Sequence, residues 1–526
     1  MRARALILFM VVAVIAAWWL AGGPRRGEQN PFLADIPADT PFFALSLERV
    51  PAAVAKAHLR HAALDRESLL SLIMPGLKIV VGELDGDVVG RLREALPEKF
   101  DEQGFGRLGL AANFHFAFYA VGGDPVFRLE IADRERVRQA LTHLLRLPSP
   151  QVRGEGEWWR IDSEAGEVHL LLSEHALTIA GALAPVDEQR IALLLAEKRP
   201  SPSLADDPSR IGRLRESLAL GPHWLGELDL MRYARVLAAR DDQTGECGEA
   251  IAAASERMGG LGFGLRRLSE EALEAVLELR LTQDETSPPL RPPTPAQEAQ
   301  LRLVFAPIEA DRADKALAAM ERALDACGPV SSFAPAVGGL RGILASLGGE
   351  SEFSASLALH ELRFVEGRPS LSLSAVLRGR DDEIPSLNLG ALGMLLPLDD
   401  LSGLPGDGSL RPLGSEARLG GLHPAFASRQ DEMLGLSFAD VEGASLRAHL
   451  AAPPVPTGTI LELTLRGALL EQLAQEGALG LRWIPGAEQT LSRWRERGAS
   501  LERLDLSLRQ EERGLLLAYS ARYRAP

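Results

Sequence analysis

Hydrophobic and polar positions divide this chain into one long apolar run followed by a series of short periodic segments. The run from Ala5 to Gly23, ALILFMVVAVIAAWWLAGG, carries no charge and follows Met1-Arg2-Ala3-Arg4. It is long enough to cross a hydrocarbon core as a helix, which takes roughly 20 residues. Trp18 and Trp19 stand near its end, where indole rings favour the lipid–water boundary. A cleaved signal peptide has a shorter apolar core, about 7–15 residues, ending in a small-x-small site. Ala21-Gly22-Gly23 imitates that site, but the run is longer and Pro24 follows directly. Residues 1–26 are therefore expected to be a retained signal anchor. No cysteine lies near it, which excludes a lipid-modified N-terminus. No later segment is as long without charge, so a single span is expected.

Beyond a tether at Gly27–Ala34, periods of two and of 3.6 alternate irregularly. Strands are expected at Phe42–Leu47 and on either side of Gly122-Gly123-Asp124-Pro125, a turn signal. Further strands are expected at Trp158–Ile161, Val168–Ser173 and Leu177–Ala180. Helical periodicity marks Ala52–Ala62, Arg66–Ile73, a segment from Asp85 to Leu96, and stretches headed by Asp133 and Asp187. Aspartate suits those starts because its carboxylate accepts unpaired first-turn N–H groups. Leu261, Phe263 and Leu265 alternate with glycines, and the returning strand sets Leu273, Ala275, Leu277, Leu279 and Leu281 on one face. Five prolines then fall between Pro288 and Pro295, a stiff extended linker. After it a strand, Arg302–Phe305, precedes a helix to Ala326. A hairpin sets Phe353, Ala355, Leu357 and Leu359 opposite Leu371, Leu373, Ala375 and Leu377. The last hairpin sets Leu504, Leu506 and Leu508 against Leu515, Leu517, Tyr519 and Ala521. The expected fold class is α+β: two similar halves of antiparallel hairpins with packed helices, preceded by one transmembrane helix. The expected division is 1–26 anchor, 27–286 first half, 287–297 Pro-rich linker and 298–526 second half.

Composition narrows the function classes. With 46% hydrophobic and 25% charged residues the chain is a folding sequence. Its net charge is −15, and residues 1–26 hold four arginines and no acid, so the remainder is more acidic still. Nucleic acid is excluded as an expected partner, because phosphate binding needs clustered cations. The expected location is the bacterial inner membrane, with the C-terminal bulk in the periplasm. Arginines flank the apolar run on both sides, so this orientation rests on the exported bulk of the chain more than on charge. An oxidising compartment permits a disulfide, and the two cysteines, Cys247 and Cys327, are its candidates.

Candidate chemistry is thin. His58 and His61 have a spacing that can place two imidazoles on one metal, but no third ligand is set by the sequence. Asp399, Asp400 and Asp407 crowd a loop without calcium-loop spacing. Gly259–Gly264 lacks the Lys-Ser/Thr of a phosphate loop and reads as a glycine-faced strand. His115 and His360 fall on strands, His360 facing solvent or another sheet. Trp158 and Trp159 point to opposite faces, one into the core and one available as a contact. No nucleophile motif is present, and no metal or cofactor is expected.

Four features carry a resemblance: the anchor, Ile36-Pro-Ala-Asp-Thr40 before the first strand, Pro125-Val-Phe-Arg-Leu-Glu-Ile131 before a helix, and Pro202-Ser-Leu-Ala-Asp206 after one. Their order resembles bacterial membrane-anchored or periplasmic families of the domain-of-unknown-function type. The resemblance implies location and architecture and supplies no activity. The leading expectation is a non-enzymatic binding or scaffold module that meets an envelope protein. A carrier of lipid or another apolar ligand, and a hydrolase with a dispersed site, are the alternatives.

Overall fold

The computed structural model describes residues 30–62, 102–110, 113–145, 149–163, 166–182, 186–229, 232–233, 236, 245–281, 291–306, 310–326, 338, 341–342, 354–365, 368–379, 404–412, 425–430, 432–476, 498–511 and 514–524. Of these, 45% are strand and 29% helix. The chain divides into two compact units. One comprises Met1–Thr282 with Ala316–Gly338, the other Gln283–Lys315 with Gly339–Pro526.

The first unit holds β1 (Phe42–Ser46), β2 (Phe116–Val121), β3 (Asp124–Glu130), β4 (Gln151–Arg153), β5 (Gly156–Ser163), β6 (Gly166–Leu172), β7 (Ala176–Ala182), β8 (Trp224–Asp229), β9 (Met258–Ser269) and β10 (Ala272–Leu281). They pair antiparallel in the spatial order β4-β5-β6-β7-β3-β2-β1-β8-β9-β10. Its helices are α1 (Ala52–Ala62), α2 (Glu102–Arg107), α3 (Arg134–Leu145), α4 (Glu188–Leu194), α5 (Ser209–Leu218) and α6 (Gly245–Ser255). The Asp133 carboxylate accepts from the Arg136 N–H at 3.0 Å and that of Asp187 from the Arg190 N–H at 2.7 Å. Those bonds satisfy first-turn donors of α3 and α4, as the aspartates require.

Both faces of this sheet are packed. Phe43, Tyr119, Val126 and Ala180 form one buried cross-strand row, while Phe127 and Ile179 pair on the opposite face, also buried. Gly226 lies under the Phe263 ring, and Gly262 lies against Leu214 and Leu218 of α5. Glycine is there because a helix and neighbouring backbone come too close for a side chain.

The second unit begins with β11 (Leu301–Phe305) and the start of helix α7 (Ala310–Ala326), whose residues from Ala316 onward belong to the first unit. There Ala319 and Ala323 pack with Ile251 and Ala254 of α6. The second unit continues with β12 (Ser354–Val365), β13 (Arg368–Arg378), β14 (Arg411–Pro412), β15 (Ala425–Gln430), β16 (Met433–Phe438), helix α8 (Ala444–Leu450), β17 (Thr459–Arg466), helix α9 (Gly467–Glu476), β18 (Leu501–Glu511) and β19 (Gly514–Tyr523). Its spatial order is β14-β15-β16-β13-β12-β11-β17-β18-β19, again antiparallel throughout. The Pro-rich segment is bonded into this unit: the Thr294 N–H donates to the Pro453 carbonyl at 2.8 Å and the Val455 N–H to that of Pro292 at 3.0 Å.

These findings correct the expected α+β class of separate hairpins packed with helices. The structure is dominated by long antiparallel sheets into which every hairpin is merged. A hairpin pairs only its inner backbone groups, and its outer edges need partners too. β1 finds them in β2 and β8, and β11 finds them in β12 and β17. Such distant pairings leave no local mark in the sequence. No helix among the described residues is long and apolar enough to cross a membrane. The expected anchor, with Trp18 and Trp19, lies outside the described residues.

Register gives the second sheet two contrasting faces. One carries three cross-strand apolar rows. The first is Ala521-Leu504-Leu465-Leu301-Leu359-Leu373-Phe438, and the second is Tyr519-Leu506-Leu463-Leu303-Leu357-Ala375-Leu436. The third is Leu517-Leu508-Leu461-Phe305-Ala355-Leu377-Leu434. The other face carries Ser437, Ser374, Ala358, Arg302, Thr464, Asp505 and Ser520 in one row.

Candidate functional site

The polar face of the second sheet is its buried face. Ser356, Ser374, Ser437 and Thr464 are buried, and Arg302 is only 5% exposed. Helix α8 lies over this face, with Leu446 and Leu450 beside Gly435 and His449 reaching between β12 and β13. Asp440 caps the helix, its carboxylate accepting from the Ser445 and Leu446 N–H groups at 3.1 and 3.0 Å.

Under α8 runs a chain of four side chains. His449 Nε2 is 2.9 Å from Ser356 Oγ, His449 Nδ1 is 2.9 Å from Ser374 Oγ, and Ser374 Oγ is 2.9 Å from His360 Nε2. Neutral imidazoles satisfy every link: His449 donates through one ring nitrogen and accepts at the other, and the Ser374 hydroxyl donates to one ring and accepts from the other. Burial pushes His449 down to about 4, aided by the neighbouring His360 and Arg302. Burial also lowers half-buried His360, while Asp440 acts in the opposite direction. His360 continues the phase of Ser356 and Ala358 onto this face, and a β-bulge follows it: Leu359 pairs with Leu373 and Glu361 with Ser372, so the residues beyond His360 change phase. The sequence set His360 opposite the apolar face, toward solvent or another sheet; it lies beside Ser374 and half-buried, because this polar face is the covered one.

Ser374 thus has two imidazole partners, the raw material of a nucleophile. Two features oppose that use. Ser374 has 0% exposure, and the second nitrogen of His449 meets Ser356 where a triad places a carboxylate. The chain of four is built to hold α8 on the sheet.

The apolar face is the more accessible one. β16 buries Leu434, Leu436 and Phe438, and α9 covers one end, packing Leu469 and Leu473 on Leu359, Leu362, Leu301, Leu373 and Leu465. Between these, Leu357, Leu461, Leu463, Leu504 and Leu506 are half-buried, and Leu303 in the middle strand is 37% exposed. The alternation in β12 and β13 was legible, but alternation alone does not say which face is covered.

The other residues singled out from the sequence have structural partners. His58 is buried with Nε2 2.7 Å from the Ser269 carbonyl, and the His58 and His61 rings are 6.1 Å apart, edge to face. Among the described residues no group of three or more His, Cys, Asp or Glu is placed to hold a metal ion. Asp407 accepts from the Ser409 N–H at 2.9 Å in a turn, and Asp399 and Asp400 lie outside the described residues. His115 is buried beside Ser46, and burial pushes it down to about 4, followed in effect by Arg49. Trp159 is buried. Trp158 packs on Leu171, Ile191 and Leu195, stacks on His169 at 6.0 Å, and has the Arg153 guanidinium 5.1 Å from its ring centre. Cys247 lies within α6, while its side chain and Cys327 fall outside the described residues.

No protein-family model matches the chain, and no curated protein matches it. A solved structure titled "Structure of crystal form I of TP0453" is similar at 9% identity, over 50% of this chain and 82% of that one, with a TM-score of 0.22. A likeness that shallow carries no argument about fold or function, so the geometry of the second unit is what remains to reason from.

Proposed function

We propose that this protein is a non-enzymatic binding module, held at the bacterial inner membrane with its bulk in the periplasm, whose cargo is the acyl part of a lipid or a similar apolar ligand. The observation that carries the reading is the half-exposed leucine surface centred on Leu303. An amphipathic sheet ordinarily buries its leucines and wets its serines. Here the serine face is the covered one. It is covered although Ser354, Ser437 and Thr459 hydroxyls find no hydrogen-bond partner, each at a cost of about 1–3 kcal/mol. A broad apolar surface kept accessible against that cost fits a site for apolar cargo.

A photo-cross-linking amino acid at position 303, introduced into the full chain in cells, tests the reading. The expected product is a lipid-mass adduct, absent when the same group is placed at position 152. Val152 is 86% exposed but belongs to the first unit. A discrete protein adduct would favour a scaffold, and no specific adduct at 303 would overturn both readings.

A further inference from the structure

Helix α8 has a strained entrance. Ala439, Glu442 and Gly443, which lead into it, have φ of 47°, 56° and 69°. Ala439 and Glu442 thus carry side chains in a left-handed region that favours glycine. Leu446 and Leu450 sit over Gly435 of β16, which has no side chain to interlock with them. Beyond the helix, the Val455 N–H is bonded to the Pro292 carbonyl at 3.0 Å and the Thr294 N–H to that of Pro453 at 2.8 Å. Residues 439–452 are therefore slung between β16 and that bonded segment. Across the span, the His449 ring bonds α8 to Ser356 of β12 and Ser374 of β13.

The charged and titratable groups around that ring come from the strands beneath and from the α8 entrance. His360 of β12 lies 2.9 Å from the Ser374 hydroxyl that His449 also uses. Arg302 of β11 is near enough to disfavour a proton on His449, and Glu462 of β17 holds its guanidinium at 3.3 Å. Asp440 acts on His360, but its carboxylate already accepts from the Ser445 and Leu446 N–H groups. While the rings are neutral, Ser374 donates to one and accepts from the other. With both rings protonated it faces two donors, and its own proton has no acceptor in the chain. Two imidazoliums and a guanidinium then share one covered patch, which burial makes costly. We propose that α8 is an acid-released clasp: protons taken up by His449 and His360 free residues 439–452 from the polar face while the strands beneath stay paired. Release returns both rings to water and uncovers Ser356 and Ser374, so acid opens a face of the second unit that is closed at neutral pH.

Burial holds packed His449 down to about 4, and a released ring returns to the ordinary 6.5. The packed position is therefore fully favoured above about 6.5 and loses that advantage as pH falls toward about 4. Hydrogen exchange of the full chain tests the clasp, read by mass spectrometry at pH 7 and pH 5 and corrected for the intrinsic pH dependence of exchange. From His449 alone, peptides spanning residues 444–452 are expected to lose protection roughly 20-fold at pH 5, with β11 and β17 unchanged. His449→Gln keeps an amide to bridge the two serines but takes up no proton, and is expected to abolish most of that loss. Should that variant fail to fold, His360→Gln is expected to shrink the loss from the strand side with every α8 residue in place. Equal protection of α8 at both pH values, an equal loss across the whole second unit, or a loss that persists in full in the variants would overturn the proposal.

Discussion

At the residue scale, the buried histidines set a pH dependence. His449 and His115 are both held near 4 in the fold, below the ordinary value of 6.5 that the unfolded chain has. The unfolded state therefore binds more protons, and the stability these groups confer is complete above about 6.5 and lost as pH falls toward about 4. The upper figure is about 3 kcal/mol for each. Urea unfolding followed across pH 4–7 is expected to show this slope, and His449→Gln is expected to flatten part of it whatever it does to stability at pH 7. A slope unchanged by His449→Gln would place the proton uptake elsewhere. His449 had no mark in the sequence, because its partners Ser356 and Ser374 are brought to it by strand register and not by spacing. His360 was legible as lying opposite the apolar face; what the sequence did not mark is that this face is covered. The apolar phase in β12 shifts from Leu357 and Leu359 to Leu362 and Phe364, and that shift is the trace of the bulge beyond His360.

At the element scale, the glycine-faced strand β9 was readable because its alternation is strict, and the structure shows why a side chain is excluded. A Cβ on Gly264 would stand 2.6 Å from the Trp224 carbonyl oxygen and 2.9 Å from Leu220. Gly264→Ala is expected to destabilise by about 1–3 kcal/mol in thermal or urea unfolding. Gly212→Ala is the control: it lies inside α5 with open space around it and is expected to stabilise by roughly 0.8–1.0 kcal/mol. The leucine face makes the opposite kind of prediction. Leu303→Asp touches a surface already open to water, so a stability change under about 1 kcal/mol is expected alongside loss of apolar-ligand capture, read by a fluorescent fatty-acid displacement assay. A large loss of stability would show that this face is covered core. Capping aspartates and two-residue alternation were legible because they act within a few residues. The choice of buried face was not, because it depends on α8, which arrives from beyond β16.

At the scale of the whole chain, sequence punctuation and compact units follow different rules. Prolines marked a break near residues 288–295, yet residues 292–294 are bonded into the second unit and the chain returns to the first at Ala316. A fragment ending at Thr282 lacks the α7 residues that pack on Ile251 and Ala254. It is expected to unfold at lower denaturant than the same unit supplied with residues 310–338, and a peptide of those residues added separately is expected to restore part of the difference. Equal midpoints would make the α6–α7 contact dispensable. The discontinuity also sets a clock. A chain made from its N-terminus at roughly 5–20 residues per second needs about 3–11 s to pass from residue 283 to residue 338. During that interval the ten described strands of the first unit are already available while the helix that packs on α6 is still being synthesised. The maturation of the first unit is paced by the emergence of the second, which makes this stretch of synthesis the moment when a chaperone has most to protect.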